Sequence, residues 1–356
     1  MKTYIIAEAG VNHNGSFDMA KQLIDVAIES GAHAVKFQTF LSEEVIAKDT
    51  PKCGYQIEQT GSDESQLEMI QKLQLSFDQK RELFEYGRSK GIEVLSTPFD
   101  LQSLEFLLDL KMSRIKIASG EITNPLLLLN AGKSQKPVIL STGMSTLKDI
   151  QTALEILVFG YLNNGDEPSY ENFTKAFCTA EGQDLLKEKV TILHCTTNYP
   201  APYDELNLNV IETMQKAFRV DVGYSDHSKG FLASCIAVSK GATIVEKHFT
   251  LDNDLPGPDH KASLNPQDLK DLVINIKKTE EMLGRSEKIP SHGELETAAL
   301  VRRSIVAGGD ISEGEVFTEE NLKLKRPGTG LGPENYFDLI GKESKKTYKL
   351  DDFINL

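Results

Sequence analysis

Two histidines, each closing an apolar run, carry the clearest chemical signal in this sequence. They are His227 in Val222-Gly223-Tyr224-Ser225-Asp226-His227 and His248 in Ile244-Val245-Glu246-Lys247-His248. Both runs read as short buried strands, so each imidazole emerges where a strand stops and a loop begins. In a repeating strand–helix barrel, that edge is where catalytic groups collect. Two imidazoles on neighbouring strands, with Asp226 and Glu246 beside them as candidate orienting groups, describe an open metal site. Two protein ligands are too few for a closed structural zinc site. They suit an exchangeable divalent ion completed by water and substrate, Mn²⁺ first, with Mg²⁺ or Co²⁺ as alternatives. His13, His33 and His194 read instead as capping, surface or core histidines.

A second set of residues is suited to anions. Lys36 and Gln38 lie two apart on one strand and so face the same side. Lys116 sits on another such run, and Thr97, Ser119, Ser141 and Thr197 each follow the end of a run. Taken singly, each hydroxyl reads as a helix N-cap. Around one rim with two inward lysines, they read as a cradle for phosphate and carboxylate. Cys195 and His194 alternate faces on their strand, so they cannot work as nucleophile and base, and Cys195 reads as packing. Neither GxxxxGK[ST] nor a strand-coupled GxGxxG occurs, so nucleotide binding through such loops is unsupported.

These groups need a frame that brings them to one edge. Apolar, β-branched runs at 4–8, 34–38, 93–96, 114–117, 138–141, 191–195, 220–223 and 243–247 alternate with amphipathic helical stretches, among them 19–30 and 268–282. Eight strands alternating with helices predict a (β/α)8 TIM barrel. The runs are continuously apolar rather than alternating, as expected when helices cover both faces of a parallel sheet. Two excursions interrupt the pattern. Residues 42–73 follow the second strand on the active face; residues 160–189 precede the sixth strand and are expected on the opposite face, in a structural or assembly role. Residues 1–284 thus form the barrel domain, 285–297 a polar linker, and 298–356 a small domain punctuated by Gly and Pro. A core of that size is marginal alone, so the small domain is expected to lean on a barrel.

Composition narrows the class further. With 356 residues and a net charge of −14, the chain argues against a nucleic-acid binder or a basic membrane patch. No run approaches the roughly 18–20 apolar residues that span a bilayer, and the N-terminus lacks a signal-peptide layout. Four cysteines without CxxC spacing fit reduced thiols, so a cytoplasmic location is expected.

Several motifs resemble the N-acetylneuraminate (sialic acid) synthase family, which includes N,N'-diacetyllegionaminate synthases. They are Ala7-Glu8-Ala9-Gly10-Val11-Asn12-His13, Val35-Lys36-Phe37-Gln38-Thr39, Ser96-Thr97-Pro98-Phe99, Lys116-Ile117-Ala118-Ser119-Gly120-Glu121, Ser141-Thr142-Gly143-Met144, Ser225-Asp226-His227, Glu246-Lys247-His248-Phe249, Pro256-Gly257-Pro258-Asp259 and Lys325-Arg326-Pro327-Gly328. The match runs in order over essentially the whole chain. It implies that the small domain is an antifreeze-like (SAF, β-clip) domain reaching the partner's barrel in a domain-swapped homodimer. It implies condensation of phosphoenolpyruvate with N-acetylmannosamine or a close relative, giving a nine-carbon 2-keto acid and phosphate. The alternative acceptor is 2,4-diacetamido-2,4,6-trideoxymannose, and the stretch from Cys195 to Tyr203 leans that way; a pseudaminate synthase fits less well.

The resemblance also implies roles for single residues. Lys36, Thr97, Lys116, Ser119, Ser141 and Thr197 match the phosphoenolpyruvate site, with Lys36 and Lys116 assisting departure of phosphate. Glu8 matches the acid–base and charge-stabilising carboxylate, and His227 and His248 the metal ligands. Gln38, Glu121, Tyr199, Asp259 and Arg326 match positions that contact the N-acetylated sugar, Arg326 from the other subunit. The chain departs from some members at Thr197-Asn198 and in the loop around Gly61-Ser62. Two rival readings remain at this level: a Schiff-base aldolase using Lys36 or Lys116, and ice binding by the small domain.

Overall fold

Eight strands follow one another with helices between them: β1 (Tyr4–Gly10), β2 (Ala34–Thr39), β3 (Glu93–Pro98), β4 (Ile115–Ile117), β5 (Val138–Ser141), β6 (Val190–Cys195), β7 (Asp221–Asp226) and β8 (Ile244–His248). This computed structural model describes residues 2–61 and 64–356. All the ladders are parallel, in the order β3-β2-β1-β8-β7-β6-β5-β4. That is a (β/α)8 barrel, nearly closed. At the remaining seam, β3 and β4 lie side by side without a backbone ladder among the described residues. There the Ser96 N–H donates to the Met112 thioether, 3.3 Å away, so a sulfur accepts the bond a strand would otherwise take.

The chain divides into two compact units, Met1–Gly284 and Arg285–Leu356. In the first, the strands are buried on both faces, as their apolar runs demand. Ile5, Ile6, Val35, Leu95, Ile115, Leu140, Ile192 and Val245 are all enclosed. Burying each such side chain contributes about 1.5–3 kcal/mol. The first helix, Phe17–Ser30, begins where Ser16 accepts the Met19 N–H and ends at Gly31 in the left-handed region, φ 80°. It packs with Ala20, Leu23, Ile24 and Ala27, which share one face.

Several boundaries differ from the sequence expectation. β7 extends through Tyr224, Ser225 and Asp226, which read as loop because they are polar, yet they pair with Val245, Glu246 and Lys247 of β8. The excursion after β2 folds into three short helices, Ser42–Val45, Gly54–Thr60 and Gln66–Leu73. In the stretch before β6, helix Leu147–Leu162 continues past Gly160, followed by Tyr170–Phe177 and Ala180–Lys189. Gly132 and Gly160 permit the close approach of the helices flanking β5: a Cβ on Gly160 would lie 2.7 Å from the Leu129 carbonyl oxygen.

In the second unit, β9 (Ser304–Ala307) pairs antiparallel with β10 (Leu322–Lys325). Single bridges add Ile311–Tyr348 and Val316–Glu343. The core is small, built on Ile305, Phe317, Leu322, Leu339, Tyr348 and Ile354. The stretch expected as a linker, 285–297, is helical from His292, and that helix runs on to Val301, past the expected start of the small domain. Ser291 and Glu294 form a reciprocal capping box at its start, an S-x-x-E signal visible in the sequence.

Candidate active site

The parallel register brings the polar strand ends together. Glu8 of β1 stands opposite Lys36 on one side and His248 on the other. At the centre lie four charges in alternation, Glu8, Lys36, Glu246 and Lys116. Lys36 Nζ is 2.8 Å from Glu8 and 3.6 Å from Glu246, and Lys116 Nζ is 3.6 Å from Glu246. Lys36 also donates to Thr97 Oγ1 at 3.1 Å, and Lys116 to Ser141 Oγ at 2.7 Å. Two carboxylates and two ammoniums cancel, which is how so much charge tolerates burial.

Their protonation follows from that arrangement. Burial pushes Glu8 up to about 7 against the pull of Lys36. Burial also raises Glu246, but Lys116 and Lys36 outweigh it and hold that carboxyl at about 2. For Lys36, burial is outweighed by Glu246 and Glu8, and the ammonium is favoured. For Lys116, burial wins over Glu246 and the value falls.

The two histidines form the opposite wall. Their ring centroids are 5.6 Å apart. His227 Nδ1 lies 2.8 Å from the Thr196 carbonyl oxygen, which only accepts, so Nδ1 carries the proton and Nε2 presents a lone pair. Tyr199 stacks on this ring at 4.2 Å and brings its hydroxyl within 3.2 Å of Nε2. His248 Nδ1 is buried with no hydrogen-bond partner among the described residues, 4.0 Å from Asp259. Burial lowers His227 to about 4 and His248 well below its usual value, so both rings are neutral, the form that binds metals.

The acidic neighbours do not orient these rings, contrary to the sequence expectation. Glu246 accepts from Ser225 Oγ at 2.9 Å and faces the lysines. Asp226 pairs with the fully buried Lys247 at 3.2 Å and accepts from Ser228 and Ser234. The backbone carbonyl of Thr196 takes the orienting role for His227.

A cavity of about 370 Å³ opens over this floor. Among residues singled out from sequence, Glu8, Lys36, Gln38, Thr97, Lys116, Ser119, Ser141, Thr197, Tyr199, His227, His248 and Asp259 line it. Burial pushes Asp259 up to about 6. Glu121 is half-buried outside the lining, accepting from Asn124 at 2.8 Å. Arg326 follows β10 in the second unit and is exposed. Ser62 lies outside the described residues. His194 turns away from the cavity, its Nε2 2.7 Å from the Leu206 carbonyl oxygen. Cys195 turns inward, 3.1 Å from Ser119 Oγ, with its thiol pushed up by burial.

Sequence reading missed the cavity wall from the excursion after β2: Cys53, Gln56, Gln66 and Ile70. Capping signals at Ser65-Gln66-Leu67-Glu68 were available, but nothing local says which face of such a helix meets the barrel mouth.

Residues 23–288 of this chain match the NeuB family, and residues 302–354 match the SAF domain. Over 353 residues the chain is 44% identical to the N,N'-diacetyllegionaminic acid synthase of Campylobacter jejuni, with 99% of each chain covered. Over 341 residues it is 43% identical to the Legionella pneumophila protein of that name, covering 96% of this chain and 90% of the other. The solved N-acetylneuraminic acid (sialic acid) synthetase of Leptospira borgpetersenii is 31% identical, with a TM-score of 0.67, covering 83% of this chain and 90% of that one.

Fold and relatives together define a transferase that condenses phosphoenolpyruvate with an amino sugar. The chain belongs to the NeuB, or sialic acid synthase, superfamily, which includes the legionaminic and pseudaminic acid synthases. Its C-terminal unit is a SAF, or β-clip, domain. No helix among the described residues is long and apolar enough to cross a membrane.

One position tests the anion cradle sterically. A Cβ on Gly143 would stand 2.0 Å from Thr197 Oγ1, 2.8 Å from Ser119 Oγ and 2.9 Å from Cys195 Sγ. Gly143 also donates its N–H to Ser119 Oγ at 2.9 Å. Gly143→Ala is expected to displace these hydroxyls and raise the KM for phosphoenolpyruvate more than that for sugar. Overpacking of about 1–3 kcal/mol corresponds to a change of roughly fivefold to 150-fold. Steady-state kinetics with each substrate varied checks this; an unchanged phosphoenolpyruvate KM would place the cradle elsewhere.

Proposed function

We propose that this protein is an N,N'-diacetyllegionaminate synthase, joining phosphoenolpyruvate to 2,4-diacetamido-2,4,6-trideoxymannose with the help of a divalent ion. The observation that carries the choice of sugar is the identity of 44% and 43% with two legionaminic acid synthases, against 31% with a sialic acid synthetase. The sequence places N-acetylmannosamine or a close relative first, with the diacetamido sugar as the alternative; these relatives favour the alternative. Incubating the purified protein with phosphoenolpyruvate and each sugar, and measuring phosphate release, tests the reading. Faster release with the diacetamido sugar is expected; release only with N-acetylmannosamine refutes it.

The site residues fit a divalent ion. Two neutral imidazoles, one oriented by a carbonyl and one with a buried unpartnered nitrogen, are a suitable donor set. His227 and His248 would hold Mn²⁺, or Mg²⁺ or Co²⁺, which when bound supplies Lewis-acid polarisation of the sugar aldehyde.

This chain's own residues do the rest. Lys36, Thr97, Lys116, Ser119, Ser141 and Thr197 grip the phosphate and carboxylate of phosphoenolpyruvate through charge-assisted hydrogen bonds. Gln38, Tyr199 and Asp259, which line the cavity, orient the open-chain sugar, lowering the entropic cost of a two-substrate step. C3 of phosphoenolpyruvate forms the new bond to the aldehyde carbon, whose oxygen takes up a proton and becomes a hydroxyl. Positive charge appears at C2, where Glu8 stabilises it and assists addition of water. The tetrahedral carbon then collapses to the ketone as its bond to the phosphate oxygen breaks; of the two protons of the added water, one balances that taken up by the aldehyde oxygen and the other leaves with phosphate, whose charge Lys36 and Lys116 neutralise. Ion pairing keeps Lys36 charged, which disfavours its use as a Schiff-base nucleophile.

The catalytic unit in this reading is a domain-swapped homodimer, with Arg326 of the partner subunit completing the sugar site. A guanidinium can donate to an acetamido carbonyl in a planar fork that lysine cannot reproduce. Mixing inactive Arg326→Ala subunits with inactive Glu8→Ala subunits is expected to restore activity, because some sites then hold both residues. Confirmed heterodimers that stay inactive would refute the shared site.

A further inference from the structure

We infer that Gln56 and Gln66, from the helices after β2, form an amide clamp that reads the second acetamido group of the sugar. Both side chains line the reaction cavity, on the segment that follows the strand carrying Gln38. Their orientation is fixed by bonds with only one chemical sense. The Cys53 backbone N–H can only donate, and it lies 2.9 Å from one end of the Gln56 side chain, so that end is the carbonyl oxygen. Gln66 approaches the same oxygen at 3.3 Å and must therefore present its Nε2.

Gln56 Nε2 keeps its N–H donors, and Gln66 Oε1 keeps its acceptor capacity, with no partner for either among the described residues. Two side-chain amides locked together thus present the N–H groups of Gln56 beside the free carbonyl oxygen of Gln66 at the cavity wall. A secondary amide is the complement of that pair: its carbonyl accepts from Gln56 and its N–H donates to Gln66. A hydroxyl at the same carbon, as in N-acetylmannosamine, carries donor and acceptor on one atom and lacks the separated C=O and N–H of the amide. Sugars lacking the second acetamido group leave the clamp half-satisfied, and unpaired enclosed amides are costly.

The inference rests on the diacetamido reading above, and its test separates the two. The measured quantity is the ratio of kcat/KM for 2,4-diacetamido-2,4,6-trideoxymannose to that for N-acetylmannosamine. Gln56→Glu keeps the oxygen that receives Cys53 and Gln66 but replaces the donor with an acceptor. Gln66→Met keeps volume and removes the acceptor. Each variant, shown folded by circular dichroism, is expected to lower the ratio about tenfold, with the loss in the KM of the diacetamido sugar. A wild-type enzyme with no preference for that sugar overturns both readings. A wild-type enzyme that prefers it, with variants keeping the wild-type ratio, overturns the clamp alone.

Discussion

His227→Ala or His248→Ala is expected to lower turnover by about a thousandfold or more while leaving the fold in place. Polarising a carbonyl through a bound ion contributes several kcal/mol, and each 1.36 kcal/mol is a factor of ten. Structural damage should be small because each ring ends a strand at the barrel rim. His248 Nδ1 in particular has no hydrogen-bond partner among the described residues, so its removal breaks no bond there. Calorimetric titration with Mn²⁺ should show binding to the wild type and its loss in both variants, at unchanged circular dichroism. Chelation should inactivate the wild type reversibly. Full activity after verified removal of metal would remove the ion from the mechanism.

Lys116→Met should cost less in turnover but more in stability, through a different route. Lys116 anchors Ser141 at 2.7 Å and balances Glu246 at 3.6 Å. Losing its charge-assisted contacts should reduce kcat/KM for phosphoenolpyruvate by roughly tenfold to a hundredfold, about 1.5–3 kcal/mol. The variant also leaves two buried carboxylates sharing Lys36. Breaking such a set costs about 3–5 kcal/mol of stability when one partner is removed. Denaturant unfolding should therefore show a lower midpoint, partly recovered in Lys116→Met/Glu246→Gln, which removes the uncompensated charge. An effect confined to the sugar KM would mean that Lys116 does not serve the phosphoenolpyruvate site.

The barrel was legible because strands buried on both faces must be continuously apolar, so polar residues stand out where those runs end. Lys36, Thr97, Lys116, Ser141, His227 and His248 were visible for that reason. What sequence could not supply was pairing across the lumen. Glu246 looked like a partner for the histidines because it is two residues from His248. The register instead faces it toward Lys36 and Lys116, residues more than a hundred positions away. Asp226 and Lys247 look like rim residues one by one, and only the pairing of β7 with β8 shows that they bind each other. Gln56 and Gln66 belong to short helices whose placement depends on tertiary contacts rather than on periodicity.

The seam between β3 and β4 separates two residues of the proposed anion cradle, for Thr97 lies on one side and Lys116 on the other. Elsewhere around the barrel the spacing of neighbouring side chains is set by a ladder; here it is set by side chains and by the Ser96–Met112 contact. The wall can therefore breathe at this point with fewer backbone bonds to break. A dianion gripped from both edges, as the proposed cradle requires, would act as a staple across the gap, because by mass action whatever binds the closed form stabilises it. Amide exchange along β3 and β4 should thus slow when phosphoenolpyruvate is bound, linking occupancy of the site to the local rigidity of the barrel itself.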